Sequence, residues 1–535
     1  MIDRILLNAR IYTQEPKAPE AQALALSRDR IVAIGGPELK EAGGPKTVID
    51  DLGGATVVPG FVDAHLHWMW TALGMKRLQL QYITTKRETL EKIAAAVQAI
   101  EPGEWIDGAG WAQGDWTDCD GAFPTAADLD AIAPNNPIFL SARSGHAAWV
   151  NSEAMRLAGI TASTPDPPGG AIQRNEAGEP TGIFFEESGA LVRSVVPEPT
   201  IEETTEAMAE AQEAAWRAGL TGVHDYDYQD AFAAMQVLHE QGRLGLRIVK
   251  HINDPDIPHA HGLGVRSGYG NDWLRIGGLK MYADGALGSI TALMIDPVED
   301  DPTNRGIRIM DKDRMRELAL EATKRGIYST VHAIGDLAVR DVLDVYEDLR
   351  RAEAELGIRP EQRRHRIEHT QLIHPDDAGR LAKLGVIASI QPIHATADID
   401  MADRHWGARA RLGYNARVQI DHGAHVVFGS DAPVEPFSPL VGIHAAVTRR
   451  RANGYPGPDG WYPEARVTVA EAIRCYTSEC AWAAGVENTQ GRLSHGYLAD
   501  LVVLDQDPHT IDPHEIQNIN VLGTMIGGKW KYRAF

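Results

Sequence analysis

Short apolar, β-branched runs alternate with amphipathic stretches through most of the chain. They recur at Thr221–His224, Arg247–Lys250, Ile276–Tyr282, Tyr328–His332, Arg366–His369, Val386–Ile390 and Val426–Phe428. Their spacing averages roughly 35 residues, the length of a strand plus a crossover helix. Between them the helical period appears: Val339, Val342, Leu343 and Tyr346 fall at i, i+3, i+4 and i+7 within Val339–Leu349. With Val57–Val62 as strand one, the runs number eight. Eight continuously apolar strands, each followed by a helix, predict an α/β fold of the (β/α)8 TIM-barrel type, buried on both sheet faces. An open doubly wound sheet is the alternative, but no GxGxxG follows the first strand.

Both ends of the chain read differently. Ile5–Tyr12, Ala23–Leu26, Arg30–Ile34 and Thr56–Val58 are short strands separated by turn signals, and so are Leu501–Leu504 and the pair Val521–Ile526 and Lys529–Tyr532 around Gly527-Gly528. Each set is small for a domain of its own. One β-sandwich-like domain built from residues 1–58 and 488–535 is therefore expected, with the barrel, 59–487, inserted between its halves. About 150 residues separate strand one from Thr221, too many for one crossover. They hold a helix opened by Thr85-Lys86-Arg87-Glu88, a strand at Pro137–Leu140, a turn at Pro165–Gly170, and a second capping box at Thr200–Glu203 opening a helix that closes at Gly219. Residues 69–199 are read as an insertion over the active-site mouth, because loops after barrel strands lie on the catalytic face. A capped outer helix is expected from Thr468 to Gly485, with no chemistry assigned to it.

Composition narrows the partners. The 52 basic and 74 acidic residues give a formal charge of −22, which disfavours nucleic acid as a ligand. No stretch reaches the ~20 apolar residues of a membrane helix, and the start lacks the apolar core of a signal peptide. Three cysteines without a CxxC suit a reducing compartment, so a cytoplasmic protein with a small-molecule substrate is expected.

The histidines change the picture. His65 and His67, in Pro59-Gly60-Phe61-Val62-Asp63-Ala64-His65-Leu66-His67, lie two apart on a strand end and aim two imidazoles the same way. His332 ends the fifth strand run, His369 ends the sixth, and Asp431 follows the eighth in Gly429-Ser430-Asp431. In a barrel those ends converge, and neutral imidazoles with a carboxylate are a ligand set for a zinc-type ion.

These motifs, with HAIGD at 332–336 and Gly277–Gly285 continuing to Gly288-Ser289, resemble the amidohydrolase superfamily of metal-dependent hydrolases, and within it the branch of YtcJ-like proteins and N-substituted formamide deformylases. Ser144–Ser152, Gly110-Trp111 and Trp116 are similar to the same branch. The resemblance implies that His65, His67 and Asp431 hold one divalent metal, zinc, and that His332 and His369 hold a second. It places Lys280 where a carboxylated lysine bridges two ions; an ordinary ion pair of Lys280 with Asp284 or Asp431 is the other reading. It makes Asp431 the proton shuttle for water attacking a non-peptide C–N bond, in an amide or an N-acyl or N-formyl compound, and it implies a homodimer. His146 is suggested as a substrate-binding residue that polarises the carbonyl, or else as a packed core histidine. Trp111 and Trp149, like Trp116, are read as substrate-binding walls or, equally, as core. A cyclic amidine deaminase, or an ester, lactone or carbamate hydrolase, would use the same site, though Asp336 stands where a glutamate would favour deamination. A regulatory or binding protein on the same fold is the remaining alternative, against which the intact ligand set argues.

Overall fold

Eight parallel strands form one sheet in chain order. They are β1 (Phe61–Leu66), β2 (Leu220–Asp225), β3 (Arg247–Asn253), β4 (Leu274–Tyr282), β5 (Ser329–Ala333), β6 (Arg366–His369), β7 (Ile387–Ile390) and β8 (Val426–Phe428). In β2, β6, β7 and β8 every residue is buried, as strands covered on both faces require. The seam between β8 and β1 closes just past the end of β8, where the Asp431 N–H donates to the His65 carbonyl at 2.6 Å and the Ser430 N–H to Asp63 Oδ1 at 3.0 Å. Gly429 is required there, since a Cβ would lie 2.5 Å from the His65 nitrogen.

The helices pack by the stripe the sequence carries. In the helix Asp336–Glu355 the residues Val339, Val342, Leu343 and Tyr346 are all buried. The Tyr346 hydroxyl reaches the carbonyls of Ser329 and Arg366, at 3.1 and 2.8 Å, and so ties the helix to β5 and β6. The segment from Thr468 opens with its capping box but forms two helices, Val469–Cys475 and Ser478–Ala484, broken where Thr477 leaves helical angles (φ −131°, ψ −91°).

Two further sheets come from the chain ends. One contains Arg30–Gly35, Ala23–Ser27, Arg4–Leu7 and Val48–Asp51; the other joins Lys529–Arg533, Val521–Ile526, Leu501–Leu504, Thr56–Pro59, Arg10–Tyr12 and Glu20–Ala21. Leu6, Leu24, Leu26, Val57, Leu501, Val503 and Met525 form their shared core. Gly527 and Gly528 both have positive φ, 57° and 73°, as a tight hairpin turn demands. Two expectations are corrected. The run Ile5–Tyr12 is two strands in different sheets, parted by Asn8 in the left-handed region (φ 54°). Val57–Val62 likewise divides at Gly60: Thr56–Pro59 joins the outer sheet, and the barrel strand begins at Phe61. A Cβ on Gly60 would meet the Thr221 side chain at 2.3 Å, so only glycine lets the chain pass between the sheets.

The computed structural model describes residues 1–144 and 146–535; Gly145, one position of the Ser144–Ser152 motif, lies outside the described residues. The chain divides into two compact units, one of Met1–Thr71 with Met208–Phe535, the other Ala72–Ala207. The second has its own six-stranded sheet, from Gly170–Arg174 through Pro180–Glu186, Ala147–Val150, Ile138–Ala142 and Ile106–Trp111 to Leu78–Gln79. Its helix Lys86–Val97 is capped by Thr85, whose hydroxyl accepts from the Glu88 N–H at 3.1 Å. Among the described residues no helix is long and apolar enough to cross a membrane.

Candidate metal centre

The C-terminal ends of β1, β5, β6 and the segment after β8 bring the expected side chains together. His65, His369 and Asp431 offer ligand atoms that all lie within 4.8 Å of one another. His67 joins them, with Nε2 3.7 Å from Asp431 Oδ1, against 3.4 Å for His65 Nε2. The His332 ring centroid is 4.6 Å from that of His369. His369 and Asp431 have φ of 71° and 62°, so two non-glycine residues at the centre hold a strained backbone. The Asp431 N–H bonded to the His65 carbonyl helps to hold that geometry.

Each imidazole has one ring nitrogen engaged by a protein acceptor. His65 Nδ1 bonds Glu368 Oε2 at 2.6 Å, His67 Nδ1 bonds Asp227 Oδ1 at 3.2 Å, and His369 Nδ1 bonds Gln391 Oε1 at 2.8 Å. His332 uses its other nitrogen, Nε2, toward the Gly285 carbonyl at 2.9 Å. An N–H pointed at such an acceptor leaves a lone pair on the opposite nitrogen. That arrangement, with a tied outer nitrogen and a free inner one, is how proteins orient metal-binding histidines. Burial pushes the His65 and His332 imidazoles down to about 4 and about 3, with the Lys280 ammonium adding to the effect, and burial likewise lowers His369. All three are therefore neutral, the form that ligates.

Lys280, on β4, is buried, and its Nζ lies 4.7 Å from the ring centroids of both Tyr226 and Tyr282. Burial brings its ammonium down to about 8, against the opposing pull of Glu368 and Asp431. None of the three nearby carboxylates pairs with it: Glu368 is taken by His65, Thr330 and Arg366, and Asp284 accepts the N–H groups of Leu293, Ile334 and Gly335 at 2.8–3.0 Å. Asp431 turns its oxygens toward histidines, with Oδ2 3.3 Å from His394 Nε2. Burial would raise its carboxyl, but His394, His65 and His369 outweigh burial and hold it well below the usual range.

A metal fits this donor set. Neutral, pre-oriented imidazoles, an ionised carboxylate and a buried amine without an anion converge at one barrel mouth, and a merely packed core would leave the untied imidazole nitrogens without partners.

Several participants escaped the sequence reading. Glu368, fully buried, is paired with Arg366 at 2.9 Å besides orienting His65; burial raises its carboxyl, yet Arg366 and His65 hold it far down. Asp227 orients His67 and also accepts the Met69 N–H at 2.6 Å. Tyr226 is stacked between His65 and His251, at 4.0 and 4.3 Å. Trp70 stacks on His67 at 4.6 Å while remaining 44% exposed, with Tyr228 6.4 Å away. Asp225-Tyr226-Asp227 directly follows the second strand run, and its chemistry-bearing residues at a strand end were the available signal.

Other expected residues sit elsewhere. Trp111 and Trp149 are fully buried in the core of the Ala72–Ala207 unit, 6.0 Å apart, with their indole N–H groups on the Leu140 and Thr125 carbonyls. They offer no surface to a substrate, which corrects their reading as substrate-binding walls. Trp116 packs with them. His146 is exposed in that unit and hydrogen-bonded to Glu186 at 3.0 Å, so it is not a packed core histidine. Asp336 opens its helix and accepts the Ile295 N–H at 2.8 Å, a structural role. A cavity beside Arg247, Arg275, Cys480 and Asp500 opens at the opposite, N-terminal ends of the strands and holds none of these histidine ligands.

Comparison with known proteins agrees with the geometry. The amidohydrolase family model matches residues 48–532. The putative amidohydrolase YtcJ of Bacillus subtilis is 32% identical over 98% of this chain and 98% of its own length. The N-substituted formamide deformylase of Arthrobacter pascens is 31% identical over 99% of this chain and 98% of its own. An uncharacterized metal-dependent hydrolase from Pyrococcus furiosus superposes with a TM-score of 0.78 at 29% identity, covering 95% of this chain and all of that one. The chain belongs to the amidohydrolase family and is a hydrolase on that family's barrel.

Proposed function

We propose that this protein hydrolyses a non-peptide C–N bond in a small amide, with N-acyl or N-formyl amines as the substrate class. The observation that carries the reading is the set of four imidazoles, each with one ring nitrogen tied to a protein acceptor, of which His65 and His67 turn the other nitrogen toward Asp431. The Arthrobacter relative, an N-substituted formamide deformylase, supports the choice of bond. His65, His67 and Asp431 would hold one zinc ion and His332 and His369 a second, with Lys280 as a carbamate between them. A lysine lowered to about 8 has enough neutral amine to take up carbon dioxide. When bound, the metal acidifies water and polarises a carbonyl.

The protein's own part follows from its contacts. Glu368, Asp227, Gln391 and the Gly285 carbonyl fix the imidazoles, so the donor set is rigid before substrate arrives. Asp431 takes a proton from the attacking water. As the new C–O bond forms and the C–N bond breaks, it passes that proton to the departing amine nitrogen, leaving a carboxylic acid and an amine. Trp70 and Tyr228 give the mouth an apolar rim for the substrate's organic group. A homodimer in the cytoplasm completes the reading.

The test is a screen of N-formyl amines, N-acyl amines, esters, lactones and cyclic amidines with zinc-loaded protein, before and after chelation. Turnover of the N-acyl or N-formyl group, abolished by chelation and restored by zinc, is expected. Turnover confined to esters, lactones or amidines, or activity indifferent to chelation, would replace this reading.

A further inference from the structure

We infer that His394 is a positioning residue that holds the Asp431 carboxylate in the orientation its proton transfers need. The inference rests on the proposed role of Asp431 and adds to it a residue outside the ligand set. Asp431 divides its two oxygens. Oδ1 faces His65 Nε2 and His67 Nε2, at 3.4 and 3.7 Å, while Oδ2 is 3.3 Å from His394 Nε2. An aspartate's terminal torsion is broad and two-fold, so a carboxylate without a partner on its far oxygen turns readily. The backbone N–H of Asp431 is anchored on the His65 carbonyl, but that contact leaves the side-chain torsions free. The His394 N–H is thus the contact that fixes which oxygen faces the imidazoles.

The placement of His394 is itself built. The helix Pro392–Ala397 starts directly after β7, with proline at its first position, where the fixed φ favours a sharp start. Gln391, the residue before it, orients His369; His394, one helical turn on, reaches Asp431. One turn of chain after β7 therefore supports both the imidazole of β6 and the carboxylate after β8. His394 is buried, with its ring centroid 6.2 Å from that of His369, so it lies beside the ligand set.

The test compares two substitutions of similar size. His394→Phe keeps a ring but removes the donor, and His394→Gln keeps an N–H donor but not the ring. On the best amide substrate, His394→Phe should lower kcat about tenfold to a hundredfold, the cost of a misplaced catalytic group, with KM and zinc content unchanged. His394→Gln should recover most of that loss. Crystals of zinc-loaded His394→Phe, a readout that needs no substrate, should show the Asp431 side chain turned or split between orientations. The reverse order, with phenylalanine active and glutamine not, would make His394 a packing residue and overturn the inference. Loss of zinc in step with kcat, or an unmoved Asp431 with full turnover, would overturn it too. Asp431→Asn is measured alongside. If it keeps full turnover, the shuttle reading itself has failed; if it is inactive while His394→Phe is not, only the inference has.

Discussion

Glu368→Gln is the sharpest probe of how the centre is organised, because it changes one charge and almost no volume. The carboxylate is fully buried; it accepts from His65 Nδ1 at 2.6 Å, from Arg366 Nη2 at 3.1 Å and from the Thr330 hydroxyl, and Arg366 Nε lies 2.9 Å away as an ion-pair contact. An amide keeps one acceptor oxygen and offers an NH2 group where the other stood. In the Oε2 position that oxygen still faces His65 Nδ1 and Arg366 Nη2, but the NH2 then stands at the Oε1 position against Arg366 Nε and the Thr330 hydroxyl, and the charged acceptor that fixes the His65 tautomer is lost. Loss of such a supporting contact typically weakens metal affinity ~10- to 100-fold, or ~1.4–2.7 kcal/mol. Arg366 keeps its bonds to His224, the Ala64 carbonyl and Ser389, all at 2.8–2.9 Å, but its buried charge loses its anion. Breaking a buried pair in this way costs ~3–5 kcal/mol, and the retained hydrogen bonds place this case at the lower end. Zinc affinity is measured by competition with a chelator, and stability by the unfolding rate. Glu353→Gln is the control: Glu353 also joins a buried histidine and an arginine, His365 and Arg350, at 2.8 and 2.6 Å, but on an outer helix. Both variants should unfold faster, and only Glu368→Gln should bind zinc more weakly. Unchanged zinc affinity in Glu368→Gln, or an equal loss in Glu353→Gln, refutes the reasoning.

Lys280→Ala should bind one equivalent of zinc fewer than the parent, with short carboxylates restoring part of the activity; an unmodified amine in the density of zinc-replete parent protein would end the carbamate proposal. Glu353 is held at about 2 because the His365 hydrogen bond and the Arg350 charge outweigh the burial that raises it, so its contribution to stability is complete above the ordinary value of 4.5 and fades as pH falls toward 2. The gap between parent and Glu353→Gln in urea midpoint should accordingly close through that window, and a gap constant down to pH 2 would contradict it. Trp70→Ala removes the exposed ring stacked on His67 and should raise KM about two- to tenfold, the range of one aromatic contact, while kcat holds; an unchanged KM removes Trp70 from the rim.

The barrel was legible because its signal is local and repeated. Its strands are short runs buried on both faces, even where they carry charge as in Arg366–His369, and the helix stripe of Val339, Val342, Leu343 and Tyr346 is buried as its period requires. What escaped was where one run serves two sheets. Nothing in the period of Ile5–Tyr12 marks Asn8 as the point of departure. Gly60 betrays its role only when Thr221, 161 positions away in the chain, is brought against it. Such breaks are set by close approach in space, and hydrophobic pattern carries no record of that.

The centre divides along the same line. His65, His67, His332, His369 and Asp431 could be picked out because ligand chemistry and strand ends coincide, two facts each written locally. Their supports could not. Glu368 sits beside His369 in the chain but orients His65, across 303 positions; Asp227 serves His67 and Gln391 serves His369. Each imidazole takes its support from an element other than its own strand, so moving one strand disturbs the ligand of another. The parallel register makes this possible: His332 pairs with Glu368 and Ala333 with His369, so β5 and β6 present their functional residues at one level. A donor set braced across strands in this way is rigid only when the barrel is closed, which couples the proposed metal site to the integrity of the β8–β1 seam. Asp431 lies on that seam, its N–H on the His65 carbonyl and its carboxylate toward the His65 ring. The residue given the proton transfer is thus also one of those that join the last strand to the first, and the strain in its backbone is borne where closure and chemistry meet.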